Sequence, residues 1–175
     1  MIGDLVQADK HWQLRFEREL AHSPARVWRA LTEPEELRKW FPDEIVVEEW
    51  KVGARLRFQD ANAKMPPFEG EVLAFQPPSL LEFRWGTDTI RLEVAPRGSG
   101  CVLTLIDTID ELGKAARDGA GWHVCLDALQ RALDGKAAPG VQSDAWNEVH
   151  EDYVRKFGPE ASSIGPPEGW SESAS

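Results

Sequence analysis

Among the side chains able to do acid–base work, His123 is the best placed. It follows Trp122 in the stretch Lys114–Leu133, with Asp127 one helical turn later. Imidazole titrates near neutral pH, so a histidine at a cavity rim can orient a ligand or move a proton. The plainer role is a pair with Asp127 on a helix flank, worth about a few tenths of a kcal/mol. Other chemistries find less support. A serine nucleophile needs a G-x-S-x-G elbow or its equivalent. Ser23, Ser79, Ser99 and Ser143 instead read as a helix cap, two turn residues and a linker residue. Gly119-Ala-Gly121 has neither the lysine nor the strand-to-helix junction of a phosphate loop. His11, His22, His123 and His150 form no i,i+3 or i,i+4 pair, and His150, between Glu148 and Glu151, reads as solvated charge. The sequence therefore predicts no metal ligands and no cofactor. Cys101 and Cys125 lie in apolar patterns without a C-x-x-C motif and are expected to be buried, inert thiols. No paired carboxylates and no Tyr–His–Asp set can be placed in a common cavity, Tyr153 being the single tyrosine and remote in sequence.

The element that must position His123 is an amphipathic helix. Trp122, Cys125, Leu126, Leu129 and Leu133 fall on one face, with Arg117, Asp118, Asp127, Gln130, Arg131 and Asp134 largely on the other. Its first half is made of small residues, Ala115, Ala116, Gly119, Ala120 and Gly121. These either let the helix approach its neighbour closely or leave a space beneath it.

Ahead of this helix the chain reads as strands. Trp12, Leu14 and Phe16 alternate with polar residues. Ser23-Pro24 opens a short helix, and Thr32-Glu-Pro34-Glu35 opens a second through a capping box. Strand patterns follow over 45–50, 54–58, 69–75, 81–85, 90–94 and 101–108, joined by short turns, which implies an antiparallel meander. By alternation Arg91 faces solvent. A sheet with one apolar face needs a cover, and the long helix supplies it. Trp40 and Phe41 end the second short helix, Phe68 follows the stiff Pro66-Pro67 pair, and Phe58, Phe83 and Trp85 belong to strand patterns. With Gly119, Trp122 and His123 from the helix, these are the candidate ligand-binding residues. Beyond residue 143, Trp146, Val149, Tyr153 and Phe157 make an apolar stripe on a further helix, capped by Asp144, that should dock on the domain or on a second copy as a homodimer. The tail from Gly158 reads as irregular, with Ile164 and Trp170 as its anchors.

The 175 residues suit one main domain, and eight tryptophans suit a large aromatic core or an apolar ligand site. A net charge of −10 argues against nucleic acid or an anionic membrane surface as partner. No apolar run approaches the roughly 18 residues of a membrane span, and MIGDLVQADKHW lacks the regions of a secretory signal. A cytoplasmic location is expected.

The order strand, two short helices, about six strands and long helix resembles the helix-grip architecture of the START and birch-pollen-allergen (SRPBCC) superfamily. ALTEPEELRKWF (30–41), FEGEVLAFQPPSLLEFRW (68–85) and GWHVCLDALQRAL (121–133) are similar to bacterial relatives of the heat-shock-protein-90 ATPase activator C-terminal domain. The resemblance implies an α+β helix-grip fold over residues 10–135, with a curved antiparallel sheet of about six to seven strands wrapped around the long helix. Residues 136–175 would add a linker, an accessory helix and the tail. Three functions are in view. The leading expectation is a cavity for an apolar or aromatic small molecule. The others are a co-chaperone-like domain that engages a chaperone ATPase, and a cyclase- or dehydratase-type enzyme with His123 as acid or base.

Overall fold

The computed structural model describes residues 2–60, 64–137 and 143–166. Eight strands form one antiparallel sheet: β1 (Asp4–Ala8), β2 (His11–Leu20), β3 (Asp43–Val46), β4 (Arg55–Asp60), β5 (Phe68–Gln76), β6 (Leu80–Trp85), β7 (Asp88–Arg97) and β8 (Gly100–Ile109). Their order is β1-β2-β8-β7-β6-β5-β4-β3. The sheet therefore has one strand more than the expected maximum. The addition is β1, which folds back on β2 through a two-residue turn at Asp9-Lys10, with Ala8 opposite His11. Its DLVQA pattern is half exposed along its length, so it lacks the alternation that betrays a strand with one face in the core.

The β7–β8 hairpin shows how tightly the connections are drawn. Arg97 pairs with Gly100, leaving Gly98-Ser99 as the loop, and Gly98 has φ +60°. Tight hairpins need that left-handed conformation and glycine supplies it without strain.

Between β2 and β3 lie α1 (Pro24–Thr32) and α2 (Pro34–Leu37). The Ser23 hydroxyl accepts the Arg26 N–H at 3.2 Å, as the Ser-Pro start predicts. The expected capping box does not form. Thr32 ends α1, its hydroxyl donates to the Trp28 carbonyl at 2.9 Å, and Glu33 occupies the cap position without a side-chain bond. The chain is already committed to the first helix when it reaches Thr32.

Helix α3 (Ala115–Leu133) covers the inner face of the sheet. Leu14, Phe16, Leu56, Phe58, Val72, Leu81, Phe83, Ile90, Leu92, Leu103 and Leu105 are buried there with Trp122, Leu126 and Leu129 of the helix. Each such side chain contributes about 1.5–3 kcal/mol by leaving water. Helix α4 (Ser143–Phe157) lies on α3, burying Trp146 and Tyr153. The apolar stripe offered to the domain or to a second copy is thus seated on its own chain. The side chain of Asp144, expected to cap α4, and the Trp170 anchor lie outside what the structure describes. Ile164 is held by its N–H to the Gly113 carbonyl at 3.0 Å, after a 3-10 turn at Pro159–Ser162.

Two further expectations change. Cys101 is buried, but Cys125 is only half-buried, at the edge of the helix's apolar stripe; its thiol is nonetheless pushed up to about 12 by desolvation, with Asp43 adding repulsion. His150 is not solvated charge. Its ring stacks on Trp146 with centroids 4.4 Å apart, and burial lowers its pKa.

Candidate functional site

Side chains from five parts of the chain meet under the first half of α3. Phe41 is the hub. Its ring centroid lies 5.6 Å from Trp40, 6.3 Å from Phe58, 6.0 Å from Phe83, 5.9 Å from Trp85 and 5.7 Å from Trp122. Phe68 joins through Phe58 at 5.1 Å and Trp85 at 6.4 Å, and Trp85 meets Trp122 at 5.3 Å. The strand alternation places Phe58, Phe83 and Trp85 inward, while the turn after α2 delivers Trp40 and Phe41. At these spacings the rings fill the space themselves. Phe68 and Trp85 are the members that remain half-exposed.

Each indole N–H is also satisfied, as buried tryptophan requires. Trp40 donates to the Ala30 carbonyl at 2.8 Å, Trp85 to Asp43 Oδ2 at 2.9 Å and Trp122 to Asp107 Oδ2 at 2.8 Å. Burial raises the Asp43 pKa despite the Trp85 bond.

The Trp122 bond leads into a second group, three carboxylates that the sequence reading did not bring together. One carboxylate oxygen from each of Asp88, Asp107 and Asp118 lies within 4.8 Å of the others. Asp107 shares strand parity with Leu103, Leu105 and Ile109, and Asp88 with Ile90, Leu92 and Val94, so both point inward beneath the helix. Asp118 precedes Trp122 by one turn and turns the same way, its side chain 14% exposed, rather than lying on the polar face. Lys114 Nζ donates to Asp88 Oδ1 at 2.8 Å and pairs with Asp110 at 2.7 Å, and Arg117 Nε pairs with Asp118 at 2.8 Å. Burial raises the Asp107 pKa well above the usual carboxylate range, with Asp88 and Asp118 adding repulsion and Trp122 opposing. Asp88 is raised by burial as well, against the pull of Lys114. Asp107 Oδ1, fully buried, has no hydrogen-bond partner among the described residues.

The two remaining candidates, Gly119 and His123, look the other way. A Cβ on Gly119 would stand 3.2 Å from the Tyr153 ring, so the small-residue half of α3 serves close approach of α4. His123 Nε2 meets Asp127 Oδ2 at 3.5 Å, the anticipated flank pair. His123 Nδ1 also lies 3.0 Å from the Tyr153 hydroxyl, which accepts the Gly3 N–H at 2.7 Å. Tyr153, His123 and Asp127 thus come together, away from the space between sheet and helix, because α4 brings Tyr153 back across 30 residues. Tyr153 is fully buried and its ring contacts are Phe16, His123 and Phe157. Among the described residues no ring contact links it to the Phe41 cluster, so the set ties α4 and the N-terminus to α3 rather than facing a substrate space. Arg18 lies inward beside it, 3.8 Å from Asp127. Arg91 and Glu71 take the solvent side, Arg91 pairing with Glu82 and Glu93 and Glu71 with Arg84.

A cleft of about 400 Å³ is lined by Arg57, Gln59, Asp60 and Lys64 to Pro67. Arg57 and Gln59 have the parity opposite to Leu56 and Phe58, so it opens on the outer face of β4. None of the nine candidate residues lines it.

The sequence model described as "Activator of Hsp90 ATPase homolog 1-like protein" matches residues 21–134. A search of curated proteins finds no match. Among solved structures, a conserved protein of unknown function, EF2215 from Enterococcus faecalis, superposes with a TM-score of 0.74 at 20% identity, covering 89% of this chain and 90% of its own. CalU16 from Micromonospora echinospora gives 0.67 at 18% identity, covering 89% and 94%. DynU16, from the dynemicin biosynthetic locus, gives 0.62 at 24% identity over 72% of this chain and 49% of that one. At such identities the likeness establishes the fold.

Proposed function

This chain belongs to the Activator of Hsp90 ATPase homolog 1-like family, and from that premise and the geometry of its interior we propose that it binds an apolar or aromatic small molecule between the sheet and the first half of α3. The observation that carries the reading is the ring cluster centred on Phe41, with Phe68 and Trp85 reaching the surface. Aromatic walls with a few fixed polar groups are what apolar ligand sites are made of. The rings occupy that space themselves, so entry requires Phe68 and Trp85 to swing aside. Trp85 then gives up its bond to Asp43. Trp40, Phe41 and Trp122, buried and two of them pinned by their indoles, form the fixed floor. The protein works, in this reading, as a cytoplasmic carrier or sensor with no chemical step of its own.

Tryptophan fluorescence with a panel of polycyclic and fatty ligands tests this. Saturable quenching is expected, with its midpoint shifted in Phe68→Ala and in Trp85→Ala. No saturable change with any ligand, in a protein shown to be folded, would overturn it.

A second reading has its own observation. Val46 in β3, Val52 in the β3–β4 connection and Met65 before β5 are exposed apolar side chains, 46%, 64% and 68% accessible. A protein partner, including a chaperone ATPase of the kind the family description mentions, would cover them. A pull-down with a heat-shock-protein-90 ATPase that shows neither binding nor altered ATP turnover would remove that reading.

A further inference from the structure

We propose that Asp88, Asp107 and Asp118 form a binding site for a hard divalent cation of the calcium, manganese or magnesium class, gated by Lys114. The inference does not depend on the ligand reading. Two separate observations converge on it. Three carboxylates from two strands and a helix bring oxygens within 4.8 Å of one another. One of them, Asp107, is completely buried with an oxygen that has no hydrogen-bond partner among the described residues. A buried carboxylate oxygen without a donor is costly, and native interiors seldom leave one that way.

Charge points in the same direction. Asp88, Asp107, Asp110 and Asp118 face two cationic groups, Lys114 and Arg117. Fully ionised, the group carries an excess of two negative charges, which one divalent ion balances. Histidine and thiolate are absent from the set, so all its donors are oxygens, and oxygen donors select hard cations. Asp107 Oδ2 is held by the Trp122 indole, which fixes the carboxylate plane while its other oxygen stays available, as an outer partner does for a metal ligand.

Lys114 supplies the way in. Its side chain is 12% exposed, and its ammonium reaches Thr87 Oγ1 at 3.4 Å as well as the carboxylates. It acts as the resident counter-charge. A cation entering past it takes over Asp88, and Lys114 keeps Asp110, to which it is already bonded. Removing the ammonium should therefore tighten cation binding.

Terbium is the appropriate probe, since the Trp122 ring touches the site and can sensitise its emission. Terbium luminescence excited through tryptophan should saturate at one ion per chain and be competed by calcium. Asp107→Asn should weaken binding by about tenfold or more, Lys114→Met should strengthen it, and Asp9→Asn in the β1–β2 turn should leave it unchanged. Circular dichroism establishes that each variant is folded. Absence of sensitised emission in the wild type, or emission that persists undiminished in Asp107→Asn, would overturn the proposal. So would loss of binding in Lys114→Met while the fold is intact. A spectrum indifferent to cations but dependent on pH would show a proton shared among the carboxylates only, which also overturns it.

Discussion

Helix α3 carries two polar groups on different sides, and they are finished to different degrees. On one side Tyr153 and His123 continue a chain of hydrogen bonds that begins at the Gly3 N–H, with Asp127 in ion-pair range of His123. The Tyr153 hydroxyl accepts from Gly3 and lies 3.0 Å from His123 Nδ1, while Asp127 Oδ2 stands 3.5 Å from His123 Nε2. On the other side Trp122 satisfies one oxygen of Asp107 and the second has no hydrogen-bond partner among the described residues, while like charges crowd it. A closed network rigidifies a fold, and an open one is high in energy until something completes it. The contrast separates a structural clasp from a site, although the clasp holds the residue types usually sought for catalysis.

The difference can be broken first at Tyr153. Its ring is fully buried against Gly119, Phe16 and Phe157, so Tyr153→Ala should cost about 3–5 kcal/mol in denaturant unfolding. A loss below 1 kcal/mol would mean that α4 is not docked as described. Tyr153→Phe keeps the ring but orphans the Gly3 N–H and His123 Nδ1, and about 1–3 kcal/mol should go. Ligand binding in the Phe41 cluster should be unaffected, which an active-site role would not allow.

Asp107→Asn should behave otherwise. Asparagine can still accept from Trp122 and relieves the repulsion from Asp88 and Asp118, so without added cation the variant should lie within about 1 kcal/mol of wild type. A loss as large as that of Tyr153→Ala would show Asp107 to be as structural as the clasp.

The smallest expected effect is in the pH profile. Burial lowers the His123 pKa from its ordinary 6.5, Asp127 opposing. The unfolded chain then binds a proton more readily than the folded one, so stability falls as pH drops below about 6.5 toward the folded value. Melting profiles of wild type and His123→Gln should differ in that window and run parallel above it. A difference that grows above pH 7 would reverse the assigned sign.

Much of the architecture was legible because alternation and helical periodicity both report burial. Leu81, Phe83 and Trp85 could be turned inward from sequence alone, and the aromatic cluster followed from them. β1 was not legible, since an edge strand with half-exposed residues has no face to declare. The acid group was recoverable in principle. Asp107 and Asp88 have the parity of buried leucines and isoleucines, but a polar residue in an apolar stripe is easily set aside as an interruption, and Asp88 reads as part of a turn. The Tyr–His–Asp clasp was beyond reach because it depends on how α4 docks. The small residues of α3 announced close approach or a space without naming the partner, and the partner is Tyr153.

The ligand site is most directly tested by mass spectrometry of the protein as purified, native against denatured, followed by the same measurement after incubation with the ligand panel. A small-molecule adduct that is present under native conditions and released on denaturation is the expected result. A native mass equal to that of the bare chain, before and after incubation, would contradict the binding function.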